Sequence, residues 1–510
     1  MDCPLMENKQ TIKPYQWLAL ICGFQLIFWT VVPWLVRNTL HSDTLEGIAW
    51  GNLWQWGYDK HPPLAAWASA VFANMSESVD FPVYVFAQLC IVLTFIAIWK
   101  LAKEYLNDYG ALLAVFLLQG ILFYSNRVER VTPDTLQHPI WAWLALTFYW
   151  AVTRESLKYW LLTGVLAGLA VLTKYQAAIF FIPLFLLLLF TVDGRKSLGT
   201  VGPWLGGVIA TVIVIPHIIW LYEHNFAAVG YLEDNYVEST RYGSGTWMDH
   251  LIFPWRFITS NLGNVLLLFL LMIPLFRATK QKNKVFSQTM FKKWFLLAIA
   301  AGPFVFTLLF GLITGEKLVP RWATPYFAWL PLLLMVWLKP EIDLQRFKRV
   351  AFWSLFAGFV LLTLRSGYLY YKPQISDKYW RSVEFQPLKA QMSKAEELWA
   401  QHYDYPIPYF GGLHYDVAEM GVYSKDKPIP FMGLNEAESL WMTNEDFRKG
   451  GGIIALTDGK RESENVRRRM NENFPTAEFL ETVIFKPIPK VEVENKPDLP
   501  VHYYLLRPDE

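Results

Sequence analysis

The chain has 510 residues, 54% of them hydrophobic and 17% aromatic, with only 18% charged and a net charge of +2. So low a charge density, with 24 tryptophans and 36 phenylalanines, excludes an ordinary soluble domain of this length. The net charge says little by itself, because charge is sorted by loop, and no nucleic-acid partner is expected. Of the cysteines Cys3, Cys22 and Cys90, two fall inside apolar runs, so no disulfide framework is implied.

Runs of about 20 apolar residues, long enough to cross a bilayer, recur through the first three quarters of the chain. They fall at roughly 15–36, 80–99, 109–124, 134–152, 159–172, 175–192, 201–222, 257–276, 294–313, 320–338 and 350–370. No small-residue cleavage site follows the first run, which reads as an uncleaved anchor. Lys and Arg set the orientation. The connections 1–14, 100–108, 153–158, 193–200, 277–293 and 339–349 carry 18 of them, against 9 in the longer alternate set, so the first set is expected in the cytoplasm. Eleven spans then put the first loop, 37–79, and the C-terminus outside. The expected fold class is an all-α polytopic membrane body, residues 1–371 with about 11 transmembrane helices, followed by a small soluble α/β domain, 372–510.

The first outward loop carries DTLEGIAWGNLWQWGYDKHPPLAAW, residues 43–67, too polar to enter a bilayer and too aromatic for an idle linker. If residues 43–56 form a helix, Leu45, Ile48, Ala49, Leu53 and Trp56 share one stripe. That helix would lie along the membrane surface with the stripe buried. Asp43, Glu46, Trp50 and Trp54 fall on the opposite face. Two carboxylates beside two indoles suit a sugar: acids bind hydroxyls or take a proton, and flat rings cover the apolar face of a pyranose. An amphipathic connector with its tryptophans in the interfacial belt fits the same pattern. In GYDKHPPL, 57–64, two prolines fix an extended turn and hold Lys60 and His61 at the membrane surface, where cations meet a lipid phosphate. Plain snorkelling also accounts for Lys60.

The next outward loop reads YSNRVERVTPDTLQHP, 124–139, where Arg127 and Arg130, three apart, can share a face and bind an anion. Asp134 opens the following span. With Thr132 as N-cap and Pro133 at the first helical position, it also reads as a helix-start residue. Lys174-Tyr175 sits in a tight break between runs, and Glu316-Lys317 and Arg321 precede the tenth. Ionisable residues near membrane depth are costly, which makes them functional candidates. No GxGxxG, Walker or HExxH motif is present, nor a Cys/His spacing for structural zinc, so nothing suggests an ATP-driven or redox enzyme. Past residue 372, helical patterns at 387–403 and 461–474 alternate with strand-like runs at 453–456, 479–485 and 502–507.

Taken in order, Asp43, YDKHPPL (58–64), TPD (132–134) and KY (174–175) resemble the bacterial members of the dolichyl-phosphate-mannose protein mannosyltransferase superfamily. The wording at 56–64 is nearest to its lipid A glycosyltransferases, the aminoarabinose and especially the galacturonosyl transferases. The resemblance covers about residues 15–340 as an arrangement, with the motifs concentrated in 43–67 and 124–139. It implies a GT-C fold, membrane-surface helices in the first outward loop and a periplasmic C-terminal domain. It also implies a polyprenyl-phosphate-linked sugar donor and transfer on the outer face of the bacterial inner membrane. Carried over, Asp43 falls at the first-loop catalytic acid and Asp134 at the second carboxylate, with Tyr58 in the donor-phosphate region. There the aminoarabinose transferases have Lys-Pro, whereas here His61 precedes Pro62 and Lys60 stands one place earlier, so the phosphate contact is open between Lys60 and His61.

The chemistry is consistent with this reading. A polyprenyl phosphate leaves readily if cations stabilise its charge, and Lys60, Lys174, Arg127, Arg130 and Arg321 are the candidates. The acceptor hydroxyl needs a general base, for which Asp43 is positioned. A single displacement inverts the anomeric centre. Glu46, Trp50, Tyr175, Glu316 and Lys317 complete the expected substrate contacts. Such donors carry no nucleotide, so no cofactor is required, and a divalent metal is left open. The expected partners are that donor, lipid A or another glycan or protein acceptor, and membrane lipids. A protein O-glycosyltransferase would share the donor but expect an open aqueous cleft in place of an apolar groove. A lipid-linked sugar transporter would expect broken helices at mid-membrane and internal repeats, and no repeat is seen.

Overall fold

Each of the eleven apolar runs is helical in the computed structural model, which describes residues 13–126, 128–232, 245–276, 289–375, 385–458, 462–488 and 498–509. Arg127, Cys3 and most of the basic stretch 277–293 lie outside the described residues. Among the described residues six helices are long and apolar enough to cross a membrane: Pro14–Val36, Asp80–Ala102, Val201–Glu223, Asp249–Leu275, Met290–Thr314 and Leu344–Lys372. A further pair, Ala177–Phe190 and Val192–Leu198, bends by 94° at its break. The remaining runs form shorter or broken helices. Pro133–Thr153 is buried along nearly its whole length, because neighbours surround it. The last long helix, Leu344–Ile375, continues past the expected domain boundary at 371.

Helices Leu157–Thr173 and Val201–Glu223 pack through glycine. A Cβ at Gly164 would fall 2.3 Å from the carbonyl oxygen of Gly206, so the two backbones touch where no side chain fits. Small residues allow this close approach in lipid, where van der Waals packing drives helix association.

The loop expected to face outward, 37–79, departs from expectation. Its helix runs only from Ser42 to Gly51, with His41 as N-cap accepting from the Asp43 amide. Leu45, Ile48 and Ala49 are buried as the stripe requires, but Glu46 (6% exposed) and Trp50 (4%) on the opposite face are buried too. The helix does not lie on the membrane with one wet face, because Leu64–Ala73 packs along it and the C-terminal domain covers it. Leu53 and Trp56 fall beyond its end, and Trp54 takes a left-handed φ of +52°. Trp54 and Trp56 are exposed and rest on Trp67.

The C-terminal domain is α/β as expected. Strands β1 (Tyr409–Gly412), β2 (Ile429–Met432), β3 (Gly452–Thr457), β4 (Glu478–Phe485) and β5 (Leu499–Leu506) form one sheet in the order β2-β1-β3-β5-β4. The β2-β1-β3 half is parallel and the β3-β5-β4 half antiparallel. Sequence periodicity identified β3, β4 and β5 and the helices Leu388–Ala400 and Ser463–Asn473. It missed β1 and β2, four-residue strands carrying Gly411-Gly412 and Pro430, which give no alternation to read. The domain shares a buried apolar cluster with the first loop, joining Leu45, Ile48 and Tyr58 to Met392, Val417 and Met420. Apolar burial on this scale holds the two parts together.

Gly164→Val is expected to destabilise the chain by about 1–3 kcal/mol, the usual cost of overpacking, and to lower its thermal midpoint in detergent. An unchanged midpoint would show that the Leu157–Thr173/Val201–Glu223 contact is not a tight one.

Candidate active site

A cavity of about 490 Å³ opens between the first loop, the start of Pro133–Thr153 and the segment after Thr314. Local sequence builds each wall. Tyr58 N–H donates to the His61 carbonyl at 3.1 Å, closing a turn that Pro62-Pro63 ends, and this turn presents Lys60 and His61. The helix Leu157–Thr173 stops at Lys174, whose backbone is extended, so Lys174 and Tyr175 enter the cavity. Met290–Thr314 ends on Gly315 in the left-handed conformation (φ +71°), which turns the chain so that Glu316, Lys317 and Arg321 also line it. The first-loop helix supplies Asp43, Glu46 and Trp50, and the first turn of Pro133–Thr153 supplies Asp134.

Two ion pairs flank the cavity. Lys174 Nζ lies 2.5 Å from Asp134 Oδ1. Lys60 Nζ lies 2.6 Å from Glu46 Oε1, between the rings of Trp50 (5.4 Å) and Tyr415 (5.3 Å). Glu46 Oε1 also meets His414 Nε2 at 2.7 Å, and His414 Nδ1 meets Glu438 Oε2 at 2.7 Å. With a carboxylate on each side, both imidazole nitrogens donate. Burial works against that charge, yet the bonds to Glu438 and Glu46 raise His414 to about 9. Burial also works against the charge of Glu46, but His414 and Lys60 hold it below the usual carboxylate range. Asp59, next to Lys60, is pushed up by burial to about 7.

Asp43 differs from both paired acids. Its side chain is 40% exposed, and His41 Nδ1 stands 3.9 Å away, beyond hydrogen-bond reach. Among the described residues no side-chain hydrogen bond holds its carboxylate. Burial raises its pKa, while Arg321, Arg130 and Lys60 pull it down. Burial and the Lys174 charge lower His61 to about 4, so it is neutral at neutral pH. The same influences leave Lys60 firmly cationic: burial opposes its charge, but Glu46 and Asp59 raise its pKa.

Residues 60–220 match the model of the dolichyl-phosphate-mannose-protein mannosyltransferase family, a stretch that holds Lys60, His61, Asp134, Lys174 and Tyr175. In structure the chain is similar to ArnT from Cupriavidus metallidurans bound to undecaprenyl phosphate, with a TM-score of 0.61 at 13% identity, covering 96% of this chain and 98% of that one. The chain shares the fold of that ArnT. It is also similar to the apo state of the same ArnT, with a TM-score of 0.55 at 11% identity and 97% of each chain covered. The apo oligosaccharyltransferase of Archaeoglobus fulgidus gives a TM-score of 0.45 at 12% identity, over 91% of this chain and 69% of that one. No curated protein matches the chain in sequence.

Most of the polar residues singled out in the sequence thus meet in one cavity. Tyr58 and Arg130 do not line it. Tyr58 is buried beneath Trp50, stacked at 5.3 Å, and its hydroxyl donates to the Trp50 carbonyl at 2.7 Å, so it supports the wall. Arg130 acts on Asp43 through its charge. Both readings of Asp134 hold together: Thr132 caps its helix by accepting from Thr135 N–H, while the Asp134 carboxylate reaches Lys174. Tyr175 is held by His217, whose Nε2 accepts from the tyrosine hydroxyl (3.0 Å) while Nδ1 donates to the Trp56 carbonyl (2.6 Å). Among the described residues no group of three or more His, Cys, Asp or Glu side chains is placed to hold a metal. Sequence reasoning missed His414, Tyr415 and Glu438, which no motif marks.

It also missed the anchor behind the cavity. Glu129 is buried between Arg37 Nη2 (2.9 Å) and Arg365 Nη2 (3.0 Å), tying the loop before Pro133–Thr153 to the first and last long helices. Burial opposes its charge, but Arg37, Arg365 and Arg130 prevail and hold Glu129 at about 2. A carboxyl with a lowered folded pKa adds stability above its ordinary pKa, and that stability is lost as pH falls toward 2. Glu129→Ala strands two buried guanidiniums and is expected to cost about 3–5 kcal/mol, read as a loss of folded, monodisperse protein. Wild-type yield and melting would show that this triad is dispensable.

Proposed function

We propose that this chain is a GT-C glycosyltransferase that moves a sugar from a polyprenyl-phosphate-linked donor to a hydroxyl of lipid A or another cell-envelope glycolipid, on the periplasmic face of the bacterial inner membrane, with inversion. The observation that carries this reading is a single cavity in which Asp43 and Asp134 face Lys60, Lys174 and Arg321. Ala65, Ala66, Ile179 and Phe310 supply an apolar lining suited to a prenyl chain. The solved ArnT bound to undecaprenyl phosphate supports a donor of this type. The outer-face assignment rests on the 18-to-9 sorting of Lys and Arg.

In this mechanism Asp43 is the general base. Of Asp43, Glu46 and Asp134 it is the one not paired with a lysine, and its raised pKa favours proton uptake. It takes the acceptor's hydroxyl proton as that oxygen attacks the anomeric carbon from the side opposite the phosphate. The bond from the anomeric carbon to the phosphate oxygen breaks, and polyprenyl phosphate leaves. Lys60, Lys174 and Arg321 stabilise the charge that develops on it. Asp134 orients Lys174 for this task. His61, neutral at working pH, shapes the wall, so Lys60 is the phosphate contact of the pair.

Asp43→Asn keeps size and polarity but removes basicity, and transfer should fall by about 10²-fold or more. Full activity in that variant would remove Asp43 as the base. Lys60→Ala should raise the donor KM well above wild type, while His61→Ala changes it little; the reverse order would move the phosphate to His61. Mass spectrometry of lipid A from cells with and without the gene is expected to differ by one glycosyl residue. Identical spectra would turn the search to another acceptor.

A further inference from the structure

We infer that His414, reaching in from the C-terminal domain, is a positioning residue that holds Glu46 so that Lys60 can turn to the phosphate of the lipid-linked donor. The inference rests on the donor reading above. Glu46 Oε1 is shared by two cations, Lys60 Nζ at 2.6 Å and His414 Nε2 at 2.7 Å, which lie 3.2 Å from each other. Because the imidazolium has both N–H groups directed at carboxylates, the His414–Lys60 contact is two donors side by side on one oxygen. Glu46 is buried, and a buried carboxylate cannot be left uncompensated. If Lys60 were its sole partner, moving the ammonium toward a donor phosphate would strand it. His414 supplies the second partner, so Lys60 can shift its bonding into the cavity it already lines while Glu46 stays neutralised.

The clamp is built to stay charged. Helix His414–Gly421 directly follows β1, which fixes His414 at its first turn. Glu438 Oε1 accepts from Asn435 Nδ2 at 2.9 Å, and Arg469 Nη1 stands 3.8 Å from it, which aims Glu438 at the imidazole. The groups facing His414 are therefore Glu46 on the first-loop helix, Asp59 and Lys60 on the proline turn, Glu438 after β2 with Arg469 behind it, and its neighbour Tyr415. Burial alone would neutralise His414, but the two glutamates reverse this and bring it to about 9. The sign follows: His414 is charged at neutral pH, and its hold on Glu46 fades as pH rises through about 9.

The test titrates undecaprenyl phosphate, with undecaprenol as the phosphate-free control, into the full chain in nanodiscs, following tryptophan fluorescence across alkaline pH. Wild type should prefer the phosphate, with a Kd that holds near neutral pH and weakens as pH passes about 9. H414Q should bind the phosphate about ten-fold more weakly at neutral pH, with no alkaline decline and no change toward undecaprenol. E438Q, whose carboxylate lies outside the cavity wall, should bind well under mildly acidic conditions and show its decline shifted toward neutral pH, because His414 loses the partner that raises it. An H414Q Kd equal to wild type, an equal loss toward undecaprenol, or an E438Q decline unmoved from wild type overturns the proposal. A wild type with no preference for the phosphate overturns the donor reading, and this inference with it.

Discussion

A buried carboxylate oxygen shared by two cations is the contact on which the rest of this structure depends. Glu46 Oε1 joins Lys60 of the proline turn and His414 of the C-terminal domain, so one atom ties together the first-loop helix, that turn and a domain more than 300 residues away. Burying ionised groups is costly unless each finds partners of good geometry. Here the partners come from three separate segments, so the charges can be satisfied only when all three are in place. The apolar cluster linking Leu45 and Tyr58 to Met392 and Val417 supplies the attraction, and the ionic contact fixes how the parts meet.

The same logic shapes the cavity's chemistry. Glu46 and Asp134 are each bound to a lysine, and those pairs stand on different walls. Asp43 is more exposed and stands outside either pair. Its neighbours are cations that a phosphate can recruit. Carboxylates and positive charge in one cavity are the elements that general-base and anion-stabilising chemistry use. Behind them Glu129, Arg37 and Arg365 brace the loop carrying Asp134 against the long helices at the two ends of the membrane body.

The residue-level reading of the loops succeeded where a local rule applied. Double proline announced the turn that presents Lys60, Thr132-Pro133 announced the helix start at Asp134, and the interruption at Lys174 announced a break between helices. It failed where burial came from elsewhere. The acid face of the first-loop helix was expected to be wet, yet Glu46 and Trp50 are buried because a distant domain lies over them. Tyr58 was taken for a donor contact and proved to be a support, since a tyrosine's place in a motif does not say which way its ring is turned.

By itself, then, the sequence determined the membrane-embedded helical body, the α/β character of the end domain and the polar residues gathered at one end of the helices. Those features depend on apolar run length, periodicity and turn chemistry, which are written in neighbouring residues. Only the tertiary structure decided which acid is paired and which is available, which of Lys60 and His61 carries charge, and that His414 and Glu438 belong beside Glu46. Charge state depends on burial and on partners at contact distance. His414 and Glu46 stand 368 positions apart, a separation at which no periodicity survives and only the folded chain brings the groups together.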